Sequence, residues 1–169
     1  MRRANFIVGF NSWGKTTIIN QLFGQFRFYY HLTYQLDGLN NPMRFVVQSQ
    51  SNDDIGQLLI DRIKIRLNKT KKEKPDIFAT LCPSMEQYND FGQILQDNVF
   101  SDFEEINLFL LKYKWEHHAE LMIDEIKNSL RGQRRINFIT INADNGLPLQ
   151  QRTNAKLTQI RNELTNIYT

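Results

Sequence analysis

The stretch Gly9-Phe10-Asn11-Ser12-Trp13-Gly14-Lys15-Thr16 decides the fold, because it has the complete spacing G-x-x-x-x-G-K-[ST] of a phosphate-binding loop. An apolar run, Ala4-Asn5-Phe6-Ile7-Val8, precedes the loop and is typical of a short buried strand. Residues 15–24 follow it with apolar side chains on one helical face, and Gly24 can close that helix. The sequence therefore predicts a strand, a glycine loop and a helix in that order.

The residue types in the loop suit phosphate chemistry. Gly9 and Gly14 allow backbone angles and a close approach that a side chain would block. Backbone amides and the positive end of the following helix then attract anionic oxygens. In such a loop Lys15 would place a compact cation at the β- and γ-phosphates, and the Thr16 hydroxyl can ligate Mg²⁺. The residues expected to bind the phosphates are Gly9, Phe10, Asn11, Ser12, Trp13, Gly14, Lys15, Thr16 and Thr17.

With this loop between a strand and a helix, the chain resembles the P-loop NTPase superfamily, and residues 9–16 correspond to its Walker A sequence. The resemblance implies a three-layer α/β fold that binds a nucleoside triphosphate together with Mg²⁺. It also implies chemistry at the γ-phosphate, in which Lys15 stabilises the charge on the transferring group.

The composition indicates a globular protein. Its 169 residues are 41% hydrophobic and 23% charged, which suits one domain spanning 1–169. The single Cys82 cannot form an internal disulfide, Met1 leads directly into the first strand, and no apolar run is long enough to cross a bilayer. We therefore expect a cytoplasmic protein without a membrane partner. A nucleic-acid partner is not favoured, because the net charge is only +3 and the short basic runs lack an accompanying aromatic motif.

The rest of the chain alternates strands with helices. Residues 27–48 contain two alternating apolar segments around Asp37-Gly38, which predicts an antiparallel β-hairpin at one edge of the sheet. Further strands are predicted at residues 76–82, 105–111 and 136–141, and the last helix begins after Pro148. The predicted fold is α/β with a mostly parallel sheet, an antiparallel edge hairpin and helices on both faces.

The acid that completes most P-loop sites is not obvious in this sequence. The superfamily places it after four apolar residues of a core strand, whereas here the strand that ends at Leu81 continues into Cys82 and Pro83. Asp53 and Asp54 are the nearest acids at a suitable strand end. We assign them as candidate catalytic residues that position a water molecule, with Asp53 also a candidate Mg²⁺ ligand. The alternative is that they stabilise a helix N-terminus, and Glu86 has the same two interpretations.

Two branches of the superfamily offer more detailed comparisons. A glycine loop, a hairpin and then Asp53-Asp54-Ile55-Gly56 is similar to the order in Ras-like GTPases. However, the guanine signature Asn-Lys-x-Asp is missing, so we expect ATP rather than GTP. Small nucleotide kinases carry late lid arginines, for which Arg131, Arg134 and Arg135 are candidates. The alternative is a solvated basic loop at the end of the sheet away from residues 9–16.

The sequence thus leaves two kinds of function open. The first is an enzyme that transfers a γ-phosphate to water or to a small-molecule acceptor. The second is a nucleotide-dependent switch with little turnover, in which residues 49–56 become ordered and a protein partner recognises the ordered state.

Overall fold

The computed structural model describes residues 1–38, 42–53, 58–86, 90–114, 120–133, 135–143 and 147–169. Strands and helices alternate through them. The elements are β1 (Arg3–Val8), α1 (Lys15–Phe23), β2 (Phe45–Gln48), α2 (Leu59–Lys69), β3 (Asp76–Leu81), α3 (Phe91–Leu95), β4 (Glu105–Leu111), α4 (Ile123–Ser129), β5 (Ile136–Ile141) and α5 (Leu149–Tyr168). Short 3₁₀ turns occupy Lys71–Glu73 and Asn98–Phe100. No helix in the described ranges is long and apolar enough to span a membrane.

The five strands form one sheet in the order β2-β3-β1-β4-β5, and every neighbouring pair is parallel. The connection through α1 runs from β1 to the edge strand β2, whereas the later connections run in the opposite direction. Because such crossovers are right-handed, α1 lies on one face and α2, α3 and α4 lie on the other. The last helix, α5, packs beside α1. The chain is therefore an α/β protein with helices on both faces of a parallel sheet.

Apolar burial explains why the predicted strands form where they do. β1, β3 and β4 are buried along almost their whole length, as expected for central parallel strands covered on both faces. A cluster of edge-to-face rings fills the layer between the sheet and α1. Phe23 at the end of α1 lies 5.4 Å from Phe78 on β3 and 5.7 Å from Phe45 on β2, measured between ring centroids.

The predicted hairpin over residues 27–48 is not present in the described part of that segment. Its first half contributes a single antiparallel bridge, in which Tyr34 and Phe45 exchange two backbone hydrogen bonds of 2.8 Å. Its second half is β2, which pairs in parallel with β3. The alternating aromatic residues serve packing instead, since the Phe28 ring is buried 5.9 Å from Phe23 and 5.1 Å from Tyr34. A period of two fits this packed loop as well as it fits a strand.

Two helix starts also differ from the sequence prediction. The apolar stripe Ile55, Leu59, Ile63 and Leu67 predicts a second helix that includes Ile55. However, α2 begins at Leu59, and Ile55 itself lies outside the described residues. Residues 84–87 have the Ser-x-x-Gln form of a capping box, which predicts that the third helix starts near Ser84. Instead, α3 begins at Phe91, and the carboxylate of Asp90 caps it by accepting from the amide of Gln93.

A buried polar network crosses the amino-terminal ends of the strands; we call it the amide ladder. Asn137 on β5 donates to Asn107 on β4, and Asn107 donates to Asn5 on β1, each at 3.0 Å. These residues are direct cross-strand partners in the sheet. Asn5 then donates to the hydroxyl of Tyr168 at 2.8 Å, and that hydroxyl donates to Asp76 at 2.7 Å. The ladder thus connects five elements, because β1, β3, β4, β5 and α5 each contribute a polar group.

Candidate functional site

The candidate site lies at the opposite edge of the sheet, where the carboxyl ends of β1 and β3 meet. The chain leaves β1 in one lateral direction and β3 in the other, so a crevice opens between these two strand ends. The glycine loop, residues 9–16, occupies this crevice. Its first residue is fixed to the neighbouring strand, because the amide of Gly9 donates to the carbonyl of Leu81 at 3.1 Å.

The backbone of the glycine loop takes a shape that its glycine content permits. Gly14 has φ 83° and ψ 14°, in the left-handed region that glycine enters at little cost, and Ser12 has φ 64°. Helix α1 begins directly afterwards, at Lys15, with no side chain capping its N-terminus. Its first turn, which the structure describes in full, has no acidic residue. The positive end of the α1 dipole therefore faces the crevice without a carboxylate in the first turn of the helix itself.

Lys15 is a buried cation at this positive helix end. Its side chain is 7% exposed, and its Nζ donates to the carbonyl oxygens of Gly9 at 2.7 Å and Phe10 at 2.9 Å. A cation at a helix N-terminus is electrostatically unfavourable unless an anion compensates it. The ammonium group is thus folded back onto its own loop at the place where an anion would be most strongly attracted.

The Thr16 hydroxyl connects the glycine loop to the segment after β2. Thr16 is exposed, and its Oγ1 donates to the carbonyl of Ser49 at 3.2 Å. Thr80 on β3 donates to the same carbonyl at 3.0 Å. The carbonyl of Ser49 therefore ties together the carboxyl ends of β2 and β3 and the start of α1.

Residues 49–53 form the second wall of the site, and the side chains of Asn52 and Arg62 hold this segment in place. Asn52 makes two hydrogen bonds to the backbone of Cys82, donating to its carbonyl at 2.9 Å and accepting from its amide at 2.7 Å. Arg62 on α2 is buried and donates to the carbonyl of Ser51 at 3.0 Å and to Oε1 of Gln50 at 3.0 Å. These contacts bring Asp53, from the loop after β2, to the end of β3.

Asp53 lies near the end of β3, where the chain itself continues into Cys82 and Pro83 and not into an acid. It is half-buried, it accepts a hydrogen bond from the Ser51 hydroxyl, and its charge acts on the nearby Cys82 thiol. Burial raises the pKa of the Cys82 thiol to about 11, and the nearby Asp53 charge adds to this rise while Lys15 opposes it. Cys82 is therefore a neutral thiol at pH 7 and is not an activated nucleophile.

A cavity of about 340 Å³ lies between these two walls. Its lining residues are Asn11, Ser12, Trp13, Gly14, Lys15, Thr16, Thr17, Ser51 and Asp53. Seven of the nine residues of the predicted binding segment 9–17 thus share one cavity with Asp53. Asp54, the other predicted acid, lies outside the described residues.

A second cavity of about 280 Å³ adjoins the first between α1 and α5, and Trp13, Gly14 and Thr17 line both. Its far wall includes Gln150 and Lys156 of α5. Lys156 is buried, and its ammonium group donates to the carbonyl of Tyr113 at 2.9 Å. Burial lowers the pKa of Lys156 to about 8, and the charge of Arg152 adds to the effect. This second cavity thus presents a polar wall that sequence spacing alone did not reveal.

The predicted lid arginines lie elsewhere in the fold. Arg135 donates to the carbonyl of Phe103 at 2.7 Å, next to the amino-terminal ends of β4 and β5. The lid interpretation is therefore wrong for Arg135, because α4 runs antiparallel to the strands and carries this loop to the edge opposite the glycine loop. Arg131 follows α4 in the same loop, and Arg134 lies outside the described residues.

The structure also identifies residues that the sequence analysis missed. Asn52 and Arg62 position the segment 49–53, yet neither residue belongs to a motif. Their partners are 30 and 11 positions away in the chain, so only the fold brings them together. Glu86, the third predicted acid, is exposed, and its amide donates to the Ser84 hydroxyl at 3.2 Å.

The fold and the site define an α/β protein with a glycine loop at the switch point of a five-stranded parallel sheet. A scan against protein-family models, a search of curated proteins and a search of solved structures each returned no match.

Proposed function

We propose that this chain is a P-loop protein that binds a nucleoside triphosphate with Mg²⁺ and acts at its γ-phosphate, by hydrolysis or by transfer to a small acceptor. ATP is the proposed nucleotide. The observation that carries the proposal is Lys15, a buried ammonium at the uncapped positive end of α1, on the wall of a 340 Å³ cavity. A polyphosphate would compensate the charge of Lys15 and the α1 dipole together.

The proposed phosphate position follows from the donors around the cavity. The first amides of α1 have no acceptor within the helix, and the left-handed Gly14 allows a ligand to approach the backbone closely. On binding, Nζ of Lys15 would exchange its carbonyl acceptors for phosphate oxygens, which are charged and form stronger hydrogen bonds.

The residues present fit a Mg²⁺ ion that arrives with the nucleotide. Thr16 offers a hydroxyl and Asp53 a carboxylate on the same cavity, and such hard oxygen ligands are those that Mg²⁺ takes alongside phosphate oxygens and water. When bound, the ion would neutralise charge on the β- and γ-phosphates. Thr16 would then turn from the carbonyl of Ser49 towards the ligand.

Asp53 is the proposed residue that orients the nucleophile. Its carboxylate is half-buried, and it accepts a hydrogen bond from Ser51 close to the Cys82 thiol at the end of β3. A fixed carboxylate there would hold an attacking water or hydroxyl by accepting its hydrogen bond, while Lys15 stabilises charge on the transferring phosphoryl group. The second cavity, between α1 and α5, is the space next to the phosphates in which a base and ribose would fit.

A thermal-shift panel tests this proposal directly. ATP, GTP, ADP and AMP are each added with Mg²⁺ or with EDTA, and the gain in unfolding temperature reports binding. We expect the largest gain with ATP and Mg²⁺. Lys15→Ala should lower ATP affinity about 100-fold, equivalent to about 2.7 kcal/mol, with its far-UV circular dichroism unchanged. Lys127→Ala, which changes an exposed lysine on α4, is the matched control and should bind like the wild type.

Phosphate release with and without candidate acceptors then separates hydrolysis from transfer. The absence of any shift with all four nucleotides would falsify the proposal. Unchanged ATP binding by Lys15→Ala would instead indicate that the nucleotide binds outside the glycine loop.

One contact favours the second function, a nucleotide-dependent switch. The hydrogen bond from Thr16 to the carbonyl of Ser49 links the proposed Mg²⁺ ligand to the segment 49–53, so binding at Thr16 would alter that segment. Hydrogen exchange of residues 49–53 with ATP and with ADP tests this idea. Equal exchange in the two states, together with measurable turnover, favours the enzyme.

A further inference from the structure

Two segments that are distant in sequence meet at the amino-terminal end of the sheet, opposite the glycine loop. They are residues 26–32, after α1, and residues 69–74, at the end of α2, and together we call them the aromatic-basic surface. Arg44 joins the two, since it donates to the hydroxyl and the carbonyl of Thr33 at 2.9 and 2.6 Å and faces Glu73 at 3.9 Å. The Thr33 hydroxyl in turn donates to the Glu73 carboxylate.

The first segment presents aromatic rings to solvent. Phe26 is 90% exposed and Tyr29 is 51% exposed, and the ring of His31 lies 6.0 Å from that of Tyr29. Exposed rings of this size are unusual unless they contact a ligand or partner. Leu32, at 42%, is the one exposed aliphatic side chain beside them, so the surface consists mainly of flat rings.

Neighbouring contacts hold these rings on a fixed backbone. The guanidinium of Arg66 donates to the carbonyl of Phe28 at 3.0 Å and lies 4.2 Å from the ring centre of Tyr30. The amide of Tyr29 donates to the hydroxyl of Tyr34 at 2.8 Å. The Phe28 ring is buried against Phe23. A platform that is ordered in advance loses less conformational entropy when it binds a ligand.

The second segment supplies positive charge. The two segments contain five cations, Arg27 and the exposed Lys69, Lys71, Lys72 and Lys74, and a single carboxylate, Glu73, which Arg44 faces. Their formal charge is +4 whereas the whole chain carries +3, so all other residues together sum to −1. The positive charge of the molecule is therefore concentrated next to the exposed rings.

We propose that the aromatic-basic surface binds single-stranded nucleic acid. The lysines of 69–74 would contact backbone phosphates, and Phe26 and Tyr29 would stack on unpaired bases, which is how sequence-tolerant single-strand binding works. A duplex keeps its bases stacked, so it offers no partner for these rings. An acidic peptide would use the lysines but leaves the rings without a planar partner. No aromatic motif accompanies the basic run 69–74 in the sequence. The fold brings aromatic residues to it from 26–32, about 40 positions earlier in the chain.

Fluorescence anisotropy with labelled oligo(dT) and oligo(rU), each of about 20 nucleotides, tests the proposal on the full chain without added nucleotide. We expect binding that weakens steeply with salt. Lys71→Glu/Lys72→Glu should reduce affinity at least about 10-fold and make the slope of log K against log salt shallower by roughly 1.4, because two phosphate contacts are lost. The matched control is Lys127→Glu/Arg131→Glu, which makes the same charge change on an exposed residue of α4 and an exposed residue just after it, and it should have a much smaller effect.

A second pair of variants tests the stacking. Phe26→Leu/Tyr29→Leu keeps apolar bulk but removes the rings, and it should weaken binding about 10-fold. Phe26→Tyr/Tyr29→Phe keeps the rings and should bind like the wild type. Phe26, Tyr29, Lys71 and Lys72 are all exposed, and an unchanged urea midpoint confirms that each variant is folded.

Three results would overturn the proposal. The first is an equal loss of oligonucleotide affinity in the control Lys127→Glu/Arg131→Glu, which would indicate that binding depends only on non-specific charge. The second is no effect of Phe26→Leu/Tyr29→Leu, which would indicate a surface for polyanions in general. The third is binding to vesicles with 30% phosphatidylserine but not to oligonucleotides, which would indicate a membrane surface. Lys15→Ala should retain oligonucleotide binding, so failure of the nucleotide proposal and failure of this one are separable.

Discussion

The polar groups at the two ends of the sheet have different surroundings. At the amino-terminal end, the amide ladder is buried except for Asn137, and its groups bond one another from Asn137 through to Asp76. At the carboxyl end, Lys15 is held by carbonyls of its own loop, and the exposed Thr16 and half-buried Asp53 face a cavity.

One sheet thus contains polar residues that bond one another inside the fold and polar residues that face a cavity. Buried polar groups that satisfy each other define one packing arrangement, and they leave little for a ligand to bind. Polar groups around an open cavity contribute less to folding and remain available for binding. We therefore expect substitutions in the ladder to change stability alone, and substitutions at the carboxyl end to change ligand binding alone.

The largest effect on stability is expected for Asn107→Ala. Asn107 is 1% exposed, and its loss leaves the buried Oδ1 of Asn5 without its donor. We expect a loss of about 3 kcal/mol in the free energy of unfolding, measured by urea denaturation, with unchanged ATP affinity. Asn137→Ala, at the exposed end of the same ladder, should cost only about 1 kcal/mol. Similar costs for both variants would contradict the view that burial gives the ladder its importance.

Tyr168→Phe should cost about 2 kcal/mol and change the pH dependence of stability. Burial raises the pKa of Asp76 above its ordinary value of 3.8, and the Tyr168 hydroxyl opposes that rise by donating to the carboxylate. A raised carboxyl pKa gives a contribution that is present at low pH and lost as pH rises through the folded-state pKa. Without the hydroxyl, the fall in stability between about pH 4 and about pH 7 should be larger than in the wild type. If the stability of Tyr168→Phe and that of the wild type change with pH in parallel, the hydrogen bond does not hold Asp76 in its ionised form.

Thr16→Val tests the role of a polar group at the carboxyl end of the sheet. The exposed Thr16 contributes a single hydrogen bond to the fold, so we expect stability to change by less than about 1 kcal/mol. ATP affinity measured by calorimetry should fall about 10-fold with Mg²⁺ and remain unchanged with EDTA. Thr165→Val, at an exposed position on α5, is the matched control. An equal fall in affinity with EDTA would exclude metal ligation as the role of the hydroxyl.

The smallest expected effect concerns Cys82. A thiol whose pKa is raised from 9.0 to about 11 stabilises the fold below about pH 9, and this contribution is lost as pH rises through 11. The difference in unfolding temperature between the wild type and Cys82→Ala should therefore shrink between about pH 8.5 and about pH 10.5. This comparison cancels the opposite contribution of Lys156, whose lowered pKa makes stability rise over the alkaline range. Rapid alkylation of the folded protein at pH 8 would contradict the raised pKa.

The sequence predicted the sheet well because its central strands are continuous apolar runs. β4 and β5 have the predicted bounds, and β1 and β3 differ from them by one residue. The edge near β2 was predicted wrongly, since the alternation of aromatic and polar residues over 28–36 arises from packing against α1 and not from strand pairing. A period of two indicates which side chains are buried, but it does not indicate which element of the fold covers them.

The candidate site was predictable only where its residues are consecutive. Residues 9–17 could be placed because one motif contains them, and Asp53 because it follows a predicted strand. The contact of Asp53 with Cys82 depends on Asn52, whose partner is 30 residues away. The ladder did leave a sequence signal, because Asn5, Asn107 and Asn137 interrupt three apolar strands near their starts. Without the strand order, however, nothing in the sequence indicated that these asparagines are neighbours.

The hydrogen bond between Asn5 and Tyr168 has a consequence for how the protein folds. It joins residues 163 positions apart, so β1 cannot complete its polar contacts during synthesis until α5 has left the ribosome. Closing so long a loop is entropically costly and makes for slow folding. Until then, a growing chain has the amide of Asn5 and the carboxylate of Asp76 without their last partner. We expect Tyr168 to join the fold late, and substitution there should therefore speed unfolding more than it slows refolding.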